Sequence, residues 1–281
     1  MNYRHAYHAG NFADVLKHSA FVAVLLHLKK KDKPFAVIDT HAGRGLYDLS
    51  GEEAVLTGEA AAGVARLIDE ARPPGVLAVY LDVVRSFAPH YPGSPLIAAR
   101  LLRQRDRLIA IEKQEDEFRA LERELAPIKQ TRAIKGDGYE ELKKLMPPAE
   151  RRAMILIDPP YEEPDEFKAA IGATIAAHRR FATGIFLLWY PAKERPQVAA
   201  SSGELLTSGV KSLLKLELDV GVPPDPVSPH GGVRLTATGL LVVNPPYGFS
   251  GEMNAILPYL TRTLAQGKGA RFVLERLKGE E

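Results

Sequence analysis

The chain has 281 residues, 46% of them apolar and 26% charged, a globular composition with room for one large α/β domain with an insertion, or two small domains. It has no cysteine, which excludes disulfides, thiolate metal sites and cysteine nucleophiles. No apolar run reaches the 18 or so residues of a membrane span, and a net charge of +2 does not by itself announce a nucleic-acid binder.

The N-terminal stretch is polar and aromatic, without the apolar core of a signal peptide, so the expectation is a cytoplasmic enzyme. Asn11 is a good helix N-cap with Asp14 three residues on. An apolar stripe through Phe12, Val15, Leu16, Ala20 and Ala23 predicts the first helix. It ends in a lysine run, and residues 1–33 carry Arg4, Lys17, Lys29, Lys30, Lys31 and Lys33 against only Asp14 and Asp32, a basic cluster to set beside Arg100, Arg103, Arg105 and Arg107. Either cluster alone reads as a solvated helix face. Two clusters flanking a candidate active site would make a phosphate-binding surface.

Lys33-Pro34 turns the chain into a strand, Phe35 to Thr40, and short β-rich runs then alternate with helical stretches. The expected strands are Leu108–Glu112, Thr131–Lys135, Met154–Asp158, Gly184–Trp189, Leu213–Val220 and Thr238–Asn244. This alternation predicts a doubly wound, mostly parallel seven-stranded sheet with helices on both faces, whose ligands sit at the carboxyl ends of the strands. Glu112 lies about 70 residues after His41, against about 20 in a plain βαβ unit. Residues from about 50 to 104 are therefore read as an inserted helical subdomain, with helices over Thr57–Ala71, Val76–Ala88 and Ser94–Arg103, overhanging the site.

Asp158-Pro159-Pro160-Tyr161 is the sharpest signal. It follows Met154-Ile155-Leu156-Ile157, the unbroken apolar run of a buried central strand. The prolines supply no backbone donors and leave their carbonyls as acceptors. An exocyclic adenine amine is a poor nucleophile because its lone pair is delocalised into the ring. A carboxylate and a carbonyl can hold its two N–H groups and favour a pyramidal nitrogen, ready for in-line attack on a methyl donor. Tyr161 can stack on an extruded base, and Asp158 can take the proton released on transfer. Without context the same four residues would be a rigid turn with a helix-capping acid. Asn244-Pro245-Pro246-Tyr247 offers a second copy after Leu240-Leu241-Val242-Val243. It comes too late in the chain to follow directly on the cofactor-binding strands, so its strand is read as an antiparallel edge partner of Leu213–Val220 and the motif as structural.

The cofactor side, for S-adenosylmethionine, comprises the loop Asp39-Thr40-His41-Ala42-Gly43-Arg44-Gly45, Glu112 for ribose hydroxyls, and Asp137-Gly138 for the cofactor's adenine. The glycines allow close backbone approach, and no P-loop Lys-Ser/Thr is present. Each acid alone would be a helix cap; three after successive strands are hard to explain that way. The histidines His5, His8, His18 and His41 have no metal-ligand spacing, so no metal is expected.

Tyr3-Arg4-His5, His8-Ala9-Gly10-Asn11, Ala13-Asp14-Val15-Leu16-Lys17-His18, Asp39-Thr40-His41-Ala42-Gly43 and Asp158-Pro159-Pro160-Tyr161 together resemble the RlmJ family. These are bacterial N6-adenine methyltransferases of 23S ribosomal RNA, and the resemblance covers essentially the whole chain. It implies a Rossmann-like class I fold in one domain, 1–281, in which residues 1–33 complete the cofactor site. It implies that His18, His41, Ser94, Glu112, Asp137, Gly138 and Asp158 contact S-adenosylmethionine, with Asp158 also the proton acceptor. Tyr3, with Arg4 beside it in the basic tail, would meet the RNA. Ser94 would otherwise read as an N-cap, and His41 stands where common methyltransferases carry a glycine. The expected enzyme is a monomer acting on naked or partly assembled 23S rRNA, with neither metal nor membrane. Three alternatives stay open: the same chemistry on DNA, methylation of a protein glutamine through Asn244, and a non-enzymatic RNA-binding protein on the same fold.

Overall fold

A computed structural model describes residues 5–192, 195–223 and 234–279. The first helix, α1 (Phe12–Lys29), begins as its cap residue requires, with the Asn11 side chain accepting from the Asp14 backbone N–H at 2.9 Å. Fifteen of its 18 residues are buried, so it is an interior helix rather than an amphipathic surface one.

Eight strands form the main sheet: β1 (Ala36–Asp39), β4 (Arg107–Glu112), β5 (Thr131–Lys135), β6 (Ala153–Ile157), β7 (Ile185–Pro191), β8 (Leu213–Asp219), β9 (Ala237–Val243) and β10 (Arg271–Lys278). Their order is β10-β8-β9-β7-β6-β1-β4-β5. From β5 to β7 the pairings are parallel; β9 and β10 run antiparallel to their neighbours. Two expectations are corrected. The sheet has an eighth strand, β10, at its edge. The strand leading to Asn244, β9, does pair antiparallel with β8, but it is interior, clamped between β7 and β8. Its fully buried, mostly apolar run suits that central place.

Alternate residues of the strands feed two cores. Val37, Leu108 and Ala110 face α1, α5 (Ser94–Leu101), α6 (Glu115–Leu125) and α10 (Phe249–Leu264). Ala36, Ile38, Ile109 and Ile111 face α7 (Gly138–Leu145), α8 (Glu166–Arg180) and α9 (Arg195–Thr207). The molecule is thus a three-layer α/β/α sandwich. Among the described residues no helix is long and apolar enough to cross a membrane.

Between β1 and β4 the chain makes α2 (Glu52–Thr57), α3 (Glu59–Ala62), a 3₁₀ turn at Val64–Arg66, α4 (Val76–Ser86) and α5. A small antiparallel pair, β2 (Leu46–Asp48) with β3 (His90–Pro92), joins them. The single helix expected over Thr57–Ala71 is broken at Gly58 and Gly63. A Cβ on Gly63 would lie 2.2 Å from the Gly10 carbonyl, which accepts the Val64 N–H at 2.8 Å. That close approach to the entrance of α1 is incompatible with a continuous helix. Both α4 and α5 pack against α1, and the segment lines the site through Glu59, Gly93 and Ser94.

Candidate active site

The parallel strands β1, β4, β5 and β6 deliver their carboxyl ends to one rim, and the N-terminus of α1 is packed beside them. Between lies a cleft of about 1300 Å³. Ordinary small-molecule pockets are roughly 300–1,000 Å³, so this one has space for two ligands side by side. His18, His41, Ser94, Glu112, Asp137, Gly138, Asp158 and Tyr161, drawn from six separate stretches of sequence, all line it. Tyr3 and Arg4 lie outside the described residues. The neighbouring turn at His5–Tyr7 lines the same cleft, with His5 Nε2 3.1 Å from Asp14 Oδ2.

Asp158 follows the last residue of β6. Its Oδ2 accepts from Lys17 Nζ at 2.6 Å, and the same ammonium is 2.8 Å from Asp14 Oδ1. Lys17 is 4% exposed. Burial would strip its proton, but Asp14 and Asp158 outweigh that and raise its pKa above the ordinary lysine value. Burial likewise pushes the Asp14 carboxyl up, yet Lys17, His5 and His18 hold it well below the usual range. Sequence reasoning missed this lysine as a site residue. The available signal was a charged side chain one turn from Asp14 in an otherwise apolar helix.

Beyond Asp158, among the described residues no hydrogen-bond donor meets the Pro159 carbonyl. Tyr161 has φ of 52°. Its hydroxyl donates to the Trp189 carbonyl at 2.5 Å, and its ring packs against Phe167 and Trp189. The anchoring leaves it half-buried at the cleft wall.

Across the rim, Glu112 accepts the Gly43 N–H at 2.9 Å and the Gln114 N–H at 2.7 Å, while burial raises its pKa. Asp137 is the N-cap of α7, with Oδ1 accepting from Tyr139 and Glu140 and Oδ2 paired with Lys113 at 3.1 Å. Burial opposes ionisation there, but these partners lower its pKa. Capping is therefore part of what Asp137 does. Gly138 is required by contact, since a Cβ there would lie 2.2 Å from the Thr40 carbonyl.

His41 bonds Thr40 Oγ1 through Nδ1 at 2.8 Å and lays its ring edge-on to Tyr139; burial pushes its pKa down to about 4. His18 meets the Tyr91 hydroxyl at 2.7 Å through Nδ1, while its buried Nε2 has no partner among the described residues. Burial takes its pKa to about 3, so the ring is neutral. Ser94 is not an N-cap: Gly93 holds that position, and Ser94 Oγ donates to Asp39 Oδ2 at 2.6 Å. Asp39 is fully buried, which raises its pKa to about 7 despite that bond.

The lysine run and the arginine cluster stand elsewhere. Lys29–Lys33 follow the far end of α1 and Arg105 precedes β4, so both lie at the amino ends of the strands, opposite the cleft. There Asp32, Lys33, Arg103 and Arg105 line one small hollow. The expectation that the clusters flank the site holds for Lys17, which lines the cleft; helix and strand direction carry Lys29–Lys33 and Arg105 away from it. Asn244 lies at that same far edge, its carboxamide donating to the Ala182 and Gly184 carbonyls at 2.9 and 2.8 Å. Among the described residues no His/Asp/Glu group is arranged to hold a metal ion.

The chain is 42% identical over 265 residues to Ribosomal RNA large subunit methyltransferase J of Escherichia coli, covering 92% of both proteins. It is 39% identical over 277 residues to the protein of the same name from Haemophilus influenzae, covering 96% of both. The crystal structure of protein LPL1258 from Legionella pneumophila superimposes with a TM-score of 0.86 at 31% identity, over 98% of this chain and 99% of that one. Residues 32–275 match the family model RsmJ, described as Ribosomal RNA large subunit methyltransferase D, RlmJ, and the chain belongs to that family.

Proposed function

We propose that this protein transfers a methyl group from S-adenosylmethionine to the exocyclic N6 amine of an adenine in 23S ribosomal RNA, acting in the cytoplasm as a monomer. The observation that carries this reading is the pairing of the Asp158 carboxylate with the free Pro159 carbonyl at the end of β6, inside a cleft large enough for a cofactor and a nucleotide together.

The residues present fit that cofactor. Glu112 is a buried carboxylate oriented by two backbone N–H groups, an acceptor pair suited to a ribose diol. The unpartnered His18 Nε2 supplies a further buried polar contact, and Ser94, His41, Asp137 and Gly138 complete the binding wall. When bound, S-adenosylmethionine supplies an electrophilic methyl group. Lys17 fixes one oxygen of Asp158 and leaves the other to accept an amine N–H, while the Pro159 carbonyl accepts the second. The target nitrogen is thereby held pyramidal with its lone pair directed inward, and Asp158 receives the proton released on transfer. Tyr161, braced by Trp189 and Phe167, offers its face to the base; Tyr3 and Arg4 of the tail meet the RNA.

Asp158→Ala should reduce N6-methyladenine formation in an rRNA transcript, read by mass spectrometry, by about 10²–10⁴-fold, with cofactor binding by calorimetry largely unchanged. Retention of more than a few per cent of the rate would count against the assigned role.

A further inference from the structure

The second Pro-Pro-Tyr motif remains unexplained by the chemistry of the cleft. β9 runs antiparallel to β7, so Asn244 emerges at the edge where β7 begins, opposite Asp158. The Asn244 carboxamide bonds two carbonyls of the turn before β7, two prolines fix φ, and the Phe249 N–H closes onto the Pro246 carbonyl at 3.0 Å. Phe249 is buried, whereas Tyr247 is 85% exposed. A large ring held outward on a stiff support is costly in water and contributes nothing to either core.

Its surroundings are cationic. The Tyr247 backbone lies beside the His27 imidazole, whose pKa is lowered first by burial and then by Lys30, Arg152 and Lys31. Lys30, Lys31 and Lys33 are exposed, and among the described residues none of the three pairs with a carboxylate. Their loop is instead pinned by Arg103 and Arg152, which donate to the backbone carbonyls of Lys29, Lys31 and Lys33 and of Leu28 and Lys33 respectively. The clamps fix the loop without neutralising it. One exposed aromatic face and an uncompensated row of ammonium groups therefore share one edge.

We propose that this edge is a second RNA-binding surface, on which Tyr247 stacks an unpaired base while Lys30 and Lys31 meet the phosphates beside it. Stacking on an aromatic side chain with cations along the backbone is the usual chemistry of single-stranded nucleic-acid recognition. The surface lies about 20 Å from the cleft, the length of α1 between Lys17 and Lys30. Because that line runs through the buried α1 and the two sites face opposite ends of the strands, one rRNA segment reaches both by passing around the molecule. The inference rests on the rRNA reading above and assigns the substrate a second point of attachment.

The test compares wild type, Tyr247→Ala, Tyr247→Phe and the double variant Lys30→Ser/Lys31→Ser on an rRNA transcript and on a hairpin too short to span the two sites. Tyr247→Ala should raise KM for the transcript about tenfold with kcat unchanged, and Tyr247→Phe should restore it. The double variant should raise KM and make the slope of log K against log salt shallower by about 1.5–2. Activity on the short hairpin should be untouched. Wild-type KM and salt slope in all variants would overturn the second surface while leaving the first reading intact. Defects seen only on rRNA carrying ribosomal proteins would overturn it in favour of a protein contact. Failure of wild type to methylate rRNA at all would remove both.

Discussion

Where α1 crosses the end of β6, two carboxylates and one ammonium share a site almost closed to water. Each ion taken there loses hydration worth several kcal/mol, which mutual attraction recovers only with close geometry. Lys17 has that geometry, at 2.6 and 2.8 Å from its two partners. Asp14 is further held by the Gly10 N–H at 2.9 Å. Removing the cation leaves Asp158 without its partner and buried Asp14 with only His5 and the Gly10 N–H. Lys17→Met should therefore lower stability by about 3 kcal/mol or more, visible as a shift of the urea midpoint at constant slope. Adding Asp158→Asn should recover part of the loss, and additive effects of the two changes would show that the ions do not hold one another.

Among the elements, the loop from α1 to β1 has no regular hydrogen bonding of its own and depends on Arg103. That guanidinium is bidentate to Asp106 and also reaches the three lysine carbonyls. Arg103→Met should cost about 3 kcal/mol, most of it from the unpaired Asp106 carboxylate. Arg103→Lys should recover little, because an ammonium cannot reproduce the fork. Thermal unfolding of the two variants beside wild type checks both statements. The start of α1 and the parallel strands were legible in the sequence because their signals are local: a cap, a period, an apolar run. The break at Gly63 was not, since its cause is Gly10, far away in sequence. β10 was overlooked because Arg271-Phe272-Val273-Leu274-Glu275-Arg276 is a charge-laced edge strand whose pairing partner is known only in three dimensions. β9 was misplaced to the edge because periodicity reports burial but not neighbour order. The candidate site residues were nameable from strand ends and resemblance, whereas Lys17 was hidden because a lysine in a helix reads as a solvated face until every side of that helix is found covered.

For the whole molecule, buried titrating groups set the pH dependence of stability. His18 and His41 stay neutral when folded, with pKa values near 3 and 4. Below about 6.5 the unfolded chain binds protons that the folded one does not, and stability falls as pH drops. Asp39 acts oppositely. Its folded pKa is raised from 3.8 to about 7, so its contribution is fully present below about pH 4 and is lost as pH rises towards 7. Asp39→Asn deletes that opposing contribution. Relative to wild type the variant should gain on the order of 4 kcal/mol between pH 4 and 7. Denaturant unfolding across that range measures it, and a pH-independent difference would show that Asp39 is ionised throughout.

A helix enclosed on all sides also constrains how the chain comes into being. α1 rests against α4, α5, β6, β9 and α10, each of them made after it, and α10 ends at Leu264. At translation rates of about 5–20 residues per second, its apolar surface waits roughly 10–50 s for its last neighbour. The segment that brings Lys17 to Asp158 is thus the longest exposed during synthesis, and nascent chains stalled before α10 should be the ones that holdase chaperones retain.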